Sequence, residues 1–233
     1  MEEGLRSRRP AACPRLLPVH HRERLNFAQE YRAWEAEEWG NVLFTDESRF
    51  CLRSPDGRER VWRRPDERFV QCCISERIPF GAGNVMVWAR VSLHDRTELV
   101  IIENGSITAD RYIRQCLSDH VIPFSHHIGP NFRLMQDNAR PHVARIVTQY
   151  LEEVNILRLQ WPSRSPDLNP IEQVWDMLGR RVRQRNIETL PELRRALLEE
   201  WENIPQESIT NCVASMPNRL MEVIRARGGN TRY

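Results

Sequence analysis

The order in which strands and helices follow one another along the chain limits the folds that it can adopt. Short apolar runs bounded by turn residues predict strands in hairpins first, and then strands that alternate with helices. The predicted strands lie at 41–53, near 58–64, and at 84–93, 98–103, 132–137 and 154–160. This order favours an α/β fold in which a mixed sheet carries helices on both faces.

Helices are predicted where apolar residues recur at helical spacing. The helix that begins at Thr108 is expected to stop at Pro123, and the helix that follows Asn169 carries an apolar stripe with helical period. Capping-box spacing between Thr189 and Glu192 marks the start of another helix. The predicted helices span 21–39, 108–123, 143–153, 171–185, 190–202 and 206–226.

The chain divides into an amino-terminal segment, 1–38, and one large domain, 39–233. Residues 1–20 are rich in Arg and Pro and lack periodicity, so we expect an extended arm that leads into the first helix. The large domain is long enough to bury one core, and the last predicted helices form a carboxyl-terminal extension. No apolar stretch approaches the length of a membrane span, and the amino terminus has no secretory apolar region.

The basic residues are all arginine: the chain has 34 of them and no lysine. A guanidinium group offers a planar fork of donors that matches phosphate oxygens, but codon usage in a GC-rich genome would also enrich arginine. The net charge of +2 does not by itself indicate a nucleic-acid-binding protein. Local clusters are more informative, although such clusters are also typical of ordinary solvated surfaces. These clusters identify Arg63, Arg64, Arg180 and Arg181 as candidate contacts with phosphate.

Three acidic residues lie at the ends of apolar runs or at the start of a helix. Asp46 and Asp137 each follow the apolar part of a predicted strand, and Glu172 lies in the first turn of the helix after the Pro-rich loop 161–170. At 100° per residue, Glu172 lies at the edge of the apolar stripe of its helix, so it can face the rim of the sheet. If the strands that carry Asp46 and Asp137 pair side by side, the three carboxylates converge.

Converging carboxylates repel one another, and a bound cation relieves that repulsion. Magnesium and manganese prefer carboxylate oxygen and complete their shells with water and substrate phosphates. Two such ions can activate the attacking oxygen and stabilise the leaving oxygen of a phosphodiester, which suggests phosphoryl transfer on nucleic acid. The residues also allow another interpretation. An Asp after a strand is commonly a turn former, and Asn169, Pro170 and Glu172 form an ordinary helix-capping pattern.

Three blocks of the sequence resemble the signature blocks of the Tc/mariner superfamily of transposases, in its Tc branch. They are LFTDESRF (43–50), QDNARPHVA (136–144) and WPSRSPDLNPIEQVW (161–175). The 34 residues between Asp137 and Glu172 fit the pattern of that branch, and 90 residues separate Asp46 from Asp137. The tail RLMEVIRARGGNTRY also resembles the carboxyl end of that branch, so the resemblance extends from about residue 5 to the last residue.

The resemblance implies a ribonuclease-H-like core in which Asp46, Asp137 and Glu172 are catalytic residues and ligands of Mg²⁺ or Mn²⁺, with two ions in the site. It implies excision of a DNA element by strand hydrolysis, and then attack of the freed 3′-hydroxyl on a target, usually at a TA dinucleotide. The implied partners are double-stranded DNA, as transposon ends and TA target, and a second copy of the chain in a homodimer. Because the amino terminus shows no secretory signal, a nuclear or cytosolic setting is the default, and the nucleus is the location expected here. Arg140 follows the second aspartate and could contact a phosphate at the mouth of the site.

Other residues of these blocks are given structural roles. Asn138 is expected either to support a turn or to lie at the mouth of the site. Trp161 and Pro162 are expected to brace their loop. His142 is expected at the start of a helix, with direct participation in catalysis or DNA contact as the lesser alternative.

Two departures from the family pattern bear on activity. Family members carry an amino-terminal pair of helix-turn-helix modules, whereas this chain begins in the linker that follows them. Family members also tend to have Gly-Gly or Gly-Ala after the Trp of the third strand, whereas Ala89 and Arg90 follow Trp88 here. Arg90 would either lie harmlessly on an exposed face of the sheet or mark decay of the gene. Two hypotheses therefore remain: a metal-dependent DNA transposase, or a truncated or host-adopted remnant that binds nucleic acid without cutting it.

Overall fold

The computed structural model describes residues 13–52, 83–103 and 106–233. The predicted strand near 58–64 lies outside these residues, as does the turn that leads into it. Arg63 and Arg64 also lie outside the described residues, so their predicted contact with phosphate stays a prediction.

A four-stranded mixed sheet forms the centre of the described fold. Its strands are β1 (Val42–Cys51), β2 (Asn84–Val91), β3 (Val100–Ile102) and β4 (Arg133–Met135), in the order β3-β2-β1-β4. The pairs β1–β2 and β2–β3 are antiparallel, whereas β1 and β4 are parallel. The strand predicted at 154–160 is reduced to one parallel bridge between Leu134 and Arg158, because β4 offers an edge of three residues to pair with.

Helices cover both faces of the sheet and form two groups. The first group consists of α1 (Pro18–Glu30), α2 (Ala36–Gly40), α6 (Pro170–Arg183), α7 (Leu190–Glu202), α8 (Gln206–Ala214) and α9 (Met216–Arg225). The second consists of α3 (Ala109–Tyr112), a π-helical stretch (Ile113–Val121), α4 (Ile122–Ile128) and α5 (Arg145–Glu153). A short 3₁₀ turn (Pro166–Leu168) precedes α6. The predicted α/β class, a mixed sheet flanked by helices, is confirmed.

Side chains that alternate along the strands separate two cores. Phe44 on β1 and Met135 on β4 pack in the larger core with the first group of helices, whereas Leu43 packs in the smaller core with the second group. Asp46 lies two residues after Phe44, and Asp137 lies two residues after Met135. Both carboxylates therefore project from the face of the sheet that α6 covers, and the predicted side-by-side pairing of their strands is confirmed.

Three predicted helices differ from the structure by more than their first or last two residues. The helix predicted at 21–39 is two helices, α1 and α2, separated by a turn at residues 31–35. The helix after Thr108 continues through Pro123 to Ile128, because the π-helical stretch before the proline shifts the hydrogen-bond ladder that the proline would otherwise interrupt. The helix predicted at 206–226 is divided at Ser215, because Pro217 fits the first turn of a new helix better than a helix interior. Within the described residues, every helix is too short or too polar to cross a membrane.

Candidate active site

A cleft of about 410 Å³ opens where β1, the end of β4 and the start of α6 meet. Asp46, Asp137 and Glu172 all line this cleft, together with residues of the loop 161–169. The structure thus brings the three acids of the sequence prediction to one place, although they are contributed by three separate elements.

Asp46 is the most buried of the three carboxylates. The indole Nε1–H of Trp175 donates a hydrogen bond of 2.9 Å to its Oδ2. Burial raises the pKa of Asp46 well above its usual value, and the negative charges of Glu172 and Glu47 raise it further. Trp175 lies one helical turn after Glu172, so α6 both supplies one carboxylate and holds another.

Glu172 is oriented by the way in which α6 begins. Asn169 is the N-cap, its side chain accepts a hydrogen bond from the Ile171 amide, and Pro170 occupies the first helical position. The side chain of Glu172 is accessible from the cleft. Partial burial raises its pKa, and the charge of Asp137 raises it further. The expected capping pattern is therefore present, and it places Glu172 at the cleft.

Asp137 is held by two donors. The Ala139 amide donates a hydrogen bond of 2.8 Å to Oδ1, and Nδ1 of His142 lies 2.7 Å from the same oxygen. Burial acts to raise the pKa of Asp137, but these hydrogen bonds and the charge of His142 lower it overall. Its side chain is 50% exposed, so it remains accessible from the cleft.

His142 lies behind Asp137 in a buried polar cluster on the opposite face of the sheet. Its side chain is 2% exposed, and Nε2 lies 3.1 Å from Oε1 of Glu47. Burial acts to lower the pKa of His142, but its hydrogen bonds with Asp137 and Glu47 raise it to about 10. The imidazole also stacks against the ring of Tyr112 at 4.3 Å. His142 thus fixes the orientation of Asp137, although it lies in a turn before α5 and not at the helix start that was expected.

The donor set suits a hard divalent cation. Oxygen ligands are what Mg²⁺ and Mn²⁺ prefer, and a cation would relieve the repulsion that helps to raise the pKa of Asp46 and Glu172. In residues 13–52, 83–103 and 106–233, however, no three His, Cys, Asp or Glu side chains stand close enough to hold one ion together. The carboxylates would therefore have to approach one another in order to share an ion.

The loop that leads to Glu172 is tied to both ends of the described chain through Asp167. Arg24, which is 0% exposed, donates from both terminal nitrogens to the two oxygens of Asp167 at 2.7 Å, and it also donates to the carbonyls of Gly228 and Gly229 at 2.9 Å. Thr231 donates to the same carboxylate from its amide and its hydroxyl.

Arg219 completes this arrangement by donating to the backbone carbonyl of Asp167 at 2.6 Å. We call Arg24, Asp167, Arg219 and Thr231 the clamp. Burial acts to raise the pKa of Asp167, but the hydrogen bonds and charge of Arg24 lower it overall. Gly228 is also required, because it has φ +81° and a Cβ there would collide with the carbonyl oxygen of His21.

Residues 41–194 match the family model described as DDE superfamily endonuclease. The chain belongs to this family. The Tc3 transposase of Caenorhabditis elegans is 35% identical over 229 residues, which cover 97% of this chain and 66% of that protein. The Tc1 transposase of the same organism is 30% identical over 234 residues, which cover 100% of this chain and 85% of that protein. The chain therefore spans about two thirds of the length of the Tc3 transposase.

Solved structures share the fold of this DDE chain. The Mos1 transposase in a paired-end complex with the left transposon end has a TM-score of 0.81 at 18% identity, over 97% of this chain and 68% of that chain. The catalytic domain of the Mos1 mariner transposase has a TM-score of 0.72 at 16% identity, over 95% of this chain and 100% of that chain. The predicted Tc/mariner membership and ribonuclease-H-like fold are confirmed, and the predicted DDE-type enzyme class is confirmed at the level of the family.

The candidate DNA-binding arginines occupy different places in this DDE fold. Arg140 is exposed beside the cleft but does not line it. Arg180 and Arg181 lie about 12 Å along α6 from Glu172. Arg180 is already paired with the carboxylate of Asp176 at 2.8 Å. Arg181 is paired with that of Glu200 at 3.6 Å. The structure therefore does not bring Arg180 and Arg181 to the cleft.

Arg90, the departure from the glycine pattern of the family, is buried and not on an exposed face. It is 8% exposed, its guanidinium carbon lies 4.1 Å from the centre of the Phe124 ring, and Nη1 lies 3.5 Å from the carboxylate of Asp95. Burial lowers the pKa of Arg90. The smaller core thus accommodates the side chain by stacking it on an aromatic ring.

Asn138 and Trp161 have the structural roles that were considered for them. Asn138 donates to the Trp161 carbonyl at 3.1 Å, which ties the loop after the second aspartate to the loop before α6. Trp161 packs edge-on against Phe27 at 5.1 Å and so braces its loop against α1.

Three contributors to the site were not identified from the sequence: Glu47, Tyr112 and Trp175. Tyr112 and Trp175 were assigned to the apolar faces of their helices. Their polar atoms could have identified them, because a buried hydroxyl or indole N–H needs a hydrogen-bond partner. Tyr112 donates to Gln136 at 2.8 Å. Glu47 follows Asp46 directly, so the alternation of the strand sends its side chain to the opposite face, where a buried acid requires a partner such as His142.

Proposed function

We propose that this chain is the catalytic region of a Tc-type transposase, which cuts DNA at the ends of a mobile element and joins the freed 3′ ends to a target at TA. The observation that carries the proposal is that Asp46, Asp137 and Glu172 line one cleft in a chain 35% identical to the Tc3 transposase. The Mos1 transposase, which shares the fold, is known in paired-end and strand-transfer complexes.

Asp46, Asp137 and Glu172 are proposed to hold Mg²⁺ or Mn²⁺, with two ions in the site. Solved Mos1 structures contain Mn or Mg. When bound, such ions activate an attacking oxygen and stabilise the leaving oxygen of a phosphodiester. The protein contributes orientation: the Trp175 indole holds Asp46, and the His142 imidazole holds Asp137. Two of the three carboxylates are thus oriented by protein partners before a phosphate binds, although all three would still have to approach one another to share an ion.

Double-stranded DNA is the proposed substrate, as transposon ends and TA target. Arg140 is proposed to contact a phosphate beside the cleft, since it is exposed next to the second aspartate. Arg63 and Arg64 are proposed as further contacts. Arg180 and Arg181 would contribute by exchanging their present carboxylate partners for phosphates. A homodimer and a nuclear location belong to the same proposal, because the two ends of an element must be held together where the DNA is.

The alternative is a truncated or host-adopted remnant that binds nucleic acid without cutting it. The presence of all three carboxylates in one cleft argues against it, because mutually repelling acids raise the free energy of the fold unless a cation is bound.

The test is cleavage and strand transfer of a pre-nicked element end in the presence of Mn²⁺. We expect the chain to be active and Asp137→Ala to lower the rate by more than about a hundredfold, since loss of an outer partner of a metal ligand alone costs 10- to 100-fold. Asp119→Ala is the matched control, because Asp119 is an exposed acid in the π-helical stretch, outside the cleft. Activity that persists in Asp137→Ala would rule out the proposed site.

A further inference from the structure

One residue of the cleft loop has a left-handed backbone conformation, although it is not glycine and does not end a helix. In the described part of the chain, Asn155, Arg164 and Arg227 are the non-glycine residues with positive φ, at 56°, 55° and 50°. Asn155 and Arg227 follow the ends of α5 and α9, where a left-handed residue is a usual way to end a helix. Arg164 follows no helix. Strain of this kind is found where the surroundings enforce it, often at ligand sites.

The loop around Arg164 is held on both sides. Before it, Asn138 donates to the Trp161 carbonyl at 3.1 Å. After it, Ser165 donates to the Ser163 carbonyl at 3.2 Å, and Asp167 is fixed by the clamp. The neighbours of Arg164 therefore determine its backbone position, and the strained conformation is a stable part of the cleft wall.

Arg164 adds a positive charge to an acidic cleft without forming an ion pair with the acids. It is the single cationic side chain among the described residues that line the cleft, which it shares with Asp46, Asp137 and Glu172. It is exposed, and its Nη1 donates to the Arg15 carbonyl at 2.8 Å. None of the ion pairs in the described residues includes Arg164, whereas other arginines such as Arg185 are paired with carboxylates. Its charge is therefore available to an anion that enters the cleft.

We propose that Arg164 binds a phosphodiester of the DNA strand that enters the cleft, beside the phosphate that reacts. This inference rests on the proposed function, because it takes DNA as the substrate. Three carboxylates repel a polyanion, and a fixed guanidinium on the cleft wall offsets that repulsion at one point. A guanidinium can donate two parallel hydrogen bonds to one phosphate, and the bond to Arg15 leaves further donors free for that purpose. Arg164 is thus a binding residue that sets the register of the strand.

The experiment compares binding of a nicked DNA duplex by the wild type, Arg164→Gln and Arg227→Gln over a series of salt concentrations, with Ca²⁺ in place of Mg²⁺. Fluorescence anisotropy gives the dissociation constants. We expect Arg164→Gln to bind about tenfold more weakly at 0.1 M salt, with a log–log salt slope smaller by about 0.9 than that of the wild type. Arg227 has the same backbone conformation outside the cleft, so Arg227→Gln should match the wild type.

Two further variants separate charge from folding. Arg164→Lys keeps the charge and should restore the slope. Arg164→Gly relieves the backbone strain, so it should fold even if Arg164→Gln does not, and it should show the same loss of slope. An Arg164→Gln or Arg164→Gly slope equal to that of the wild type would overturn the inference.

The proposed reaction is measured separately, as cleavage of a pre-nicked end with Mn²⁺. If the wild type cleaves and the slope of Arg164→Gln is unchanged, the phosphate site is wrong and the proposed function stands. If the slope falls and the wild type does not cleave, the phosphate site stands and the proposed reaction is wrong.

Discussion

The cleft and the clamp use carboxylates in opposite ways. Asp167 in the clamp is surrounded by donors, and its pKa is lowered overall. Asp46 in the cleft receives a hydrogen bond from Trp175 but faces other acids, and its pKa is raised well above its usual value. The charge of Asp167 therefore stabilises the fold, whereas the charge of Asp46 destabilises it. The clamp thus adds stability to the loop before Glu172, whereas the charge of Asp46 in the cleft subtracts from it.

Replacing Arg24 with Met should cause the largest loss of stability. The change leaves Asp167 buried without its charged partner and removes donors from the carbonyls of Gly228 and Gly229. Breaking a buried pair from one side costs about 3–5 kcal/mol of the free energy of unfolding. Urea denaturation at neutral pH measures the effect.

Arg90→Met is the matched control, because Arg90 is also a buried arginine. Its Nε and Nη1 have no hydrogen-bond partner within the described residues, and Asp95 beside it is largely exposed. We expect its loss to change the free energy of unfolding by less than about 1 kcal/mol, since a well-packed apolar side chain can replace a poorly bonded charge. Equal losses in Arg24→Met and Arg90→Met would contradict the comparison.

Acidification should weaken the clamp. Because the pKa of Asp167 is lowered in the folded chain, its contribution is fully present above its usual pKa of 3.8 and is lost as the pH falls through the lowered value. The stability advantage of the wild type over Asp167→Asn should therefore shrink in strong acid. Urea titrations from pH 7 to about pH 2 measure this difference, and an advantage that grows on acidification would refute the assignment.

Asp46→Asn should have the smallest effect on stability, and in the opposite direction. The amide removes a charge that burial and Glu172 disfavour, yet its oxygen can still accept from Trp175. Without divalent cations we expect the free energy of unfolding to rise by up to about 1 kcal/mol, together with loss of DNA cleavage. Thermal unfolding in EDTA checks the first part. Asp119→Asn, at an exposed acid, should leave both unchanged.

The convergence of the three acids was predictable, because it depends on local periodicity. Alternation along β1 and β4 sends Asp46 and Asp137 to one face, and the start of α6 is marked by Asn169 and Pro170. The spacing between the sequence blocks then identified Asp46, Asp137 and Glu172 as one set. These signals lie within single elements and can be recognised from the sequence, whereas the side-by-side pairing of β1 and β4 had to be assumed.

The clamp and the support behind Asp137 were not predictable in the same way. Arg24 and Asp167 are 143 residues apart, and each is of a type that usually lies on the surface. His142 and Glu47 are 95 residues apart, and their pairing depends on how the turn after β4 closes against β1. The strand expected at 154–160 failed for a related reason, since its length was limited by its partner β4.

The requirement for glycine at position 228 gives a criterion for comparing related genes. Any side chain there would strike the carbonyl of His21, and the last residues would be displaced from Asp167 together with Thr231. The codon for residue 228 therefore indicates whether a diverged copy of the gene can still form the bond between Thr231 and Asp167, before any protein is made.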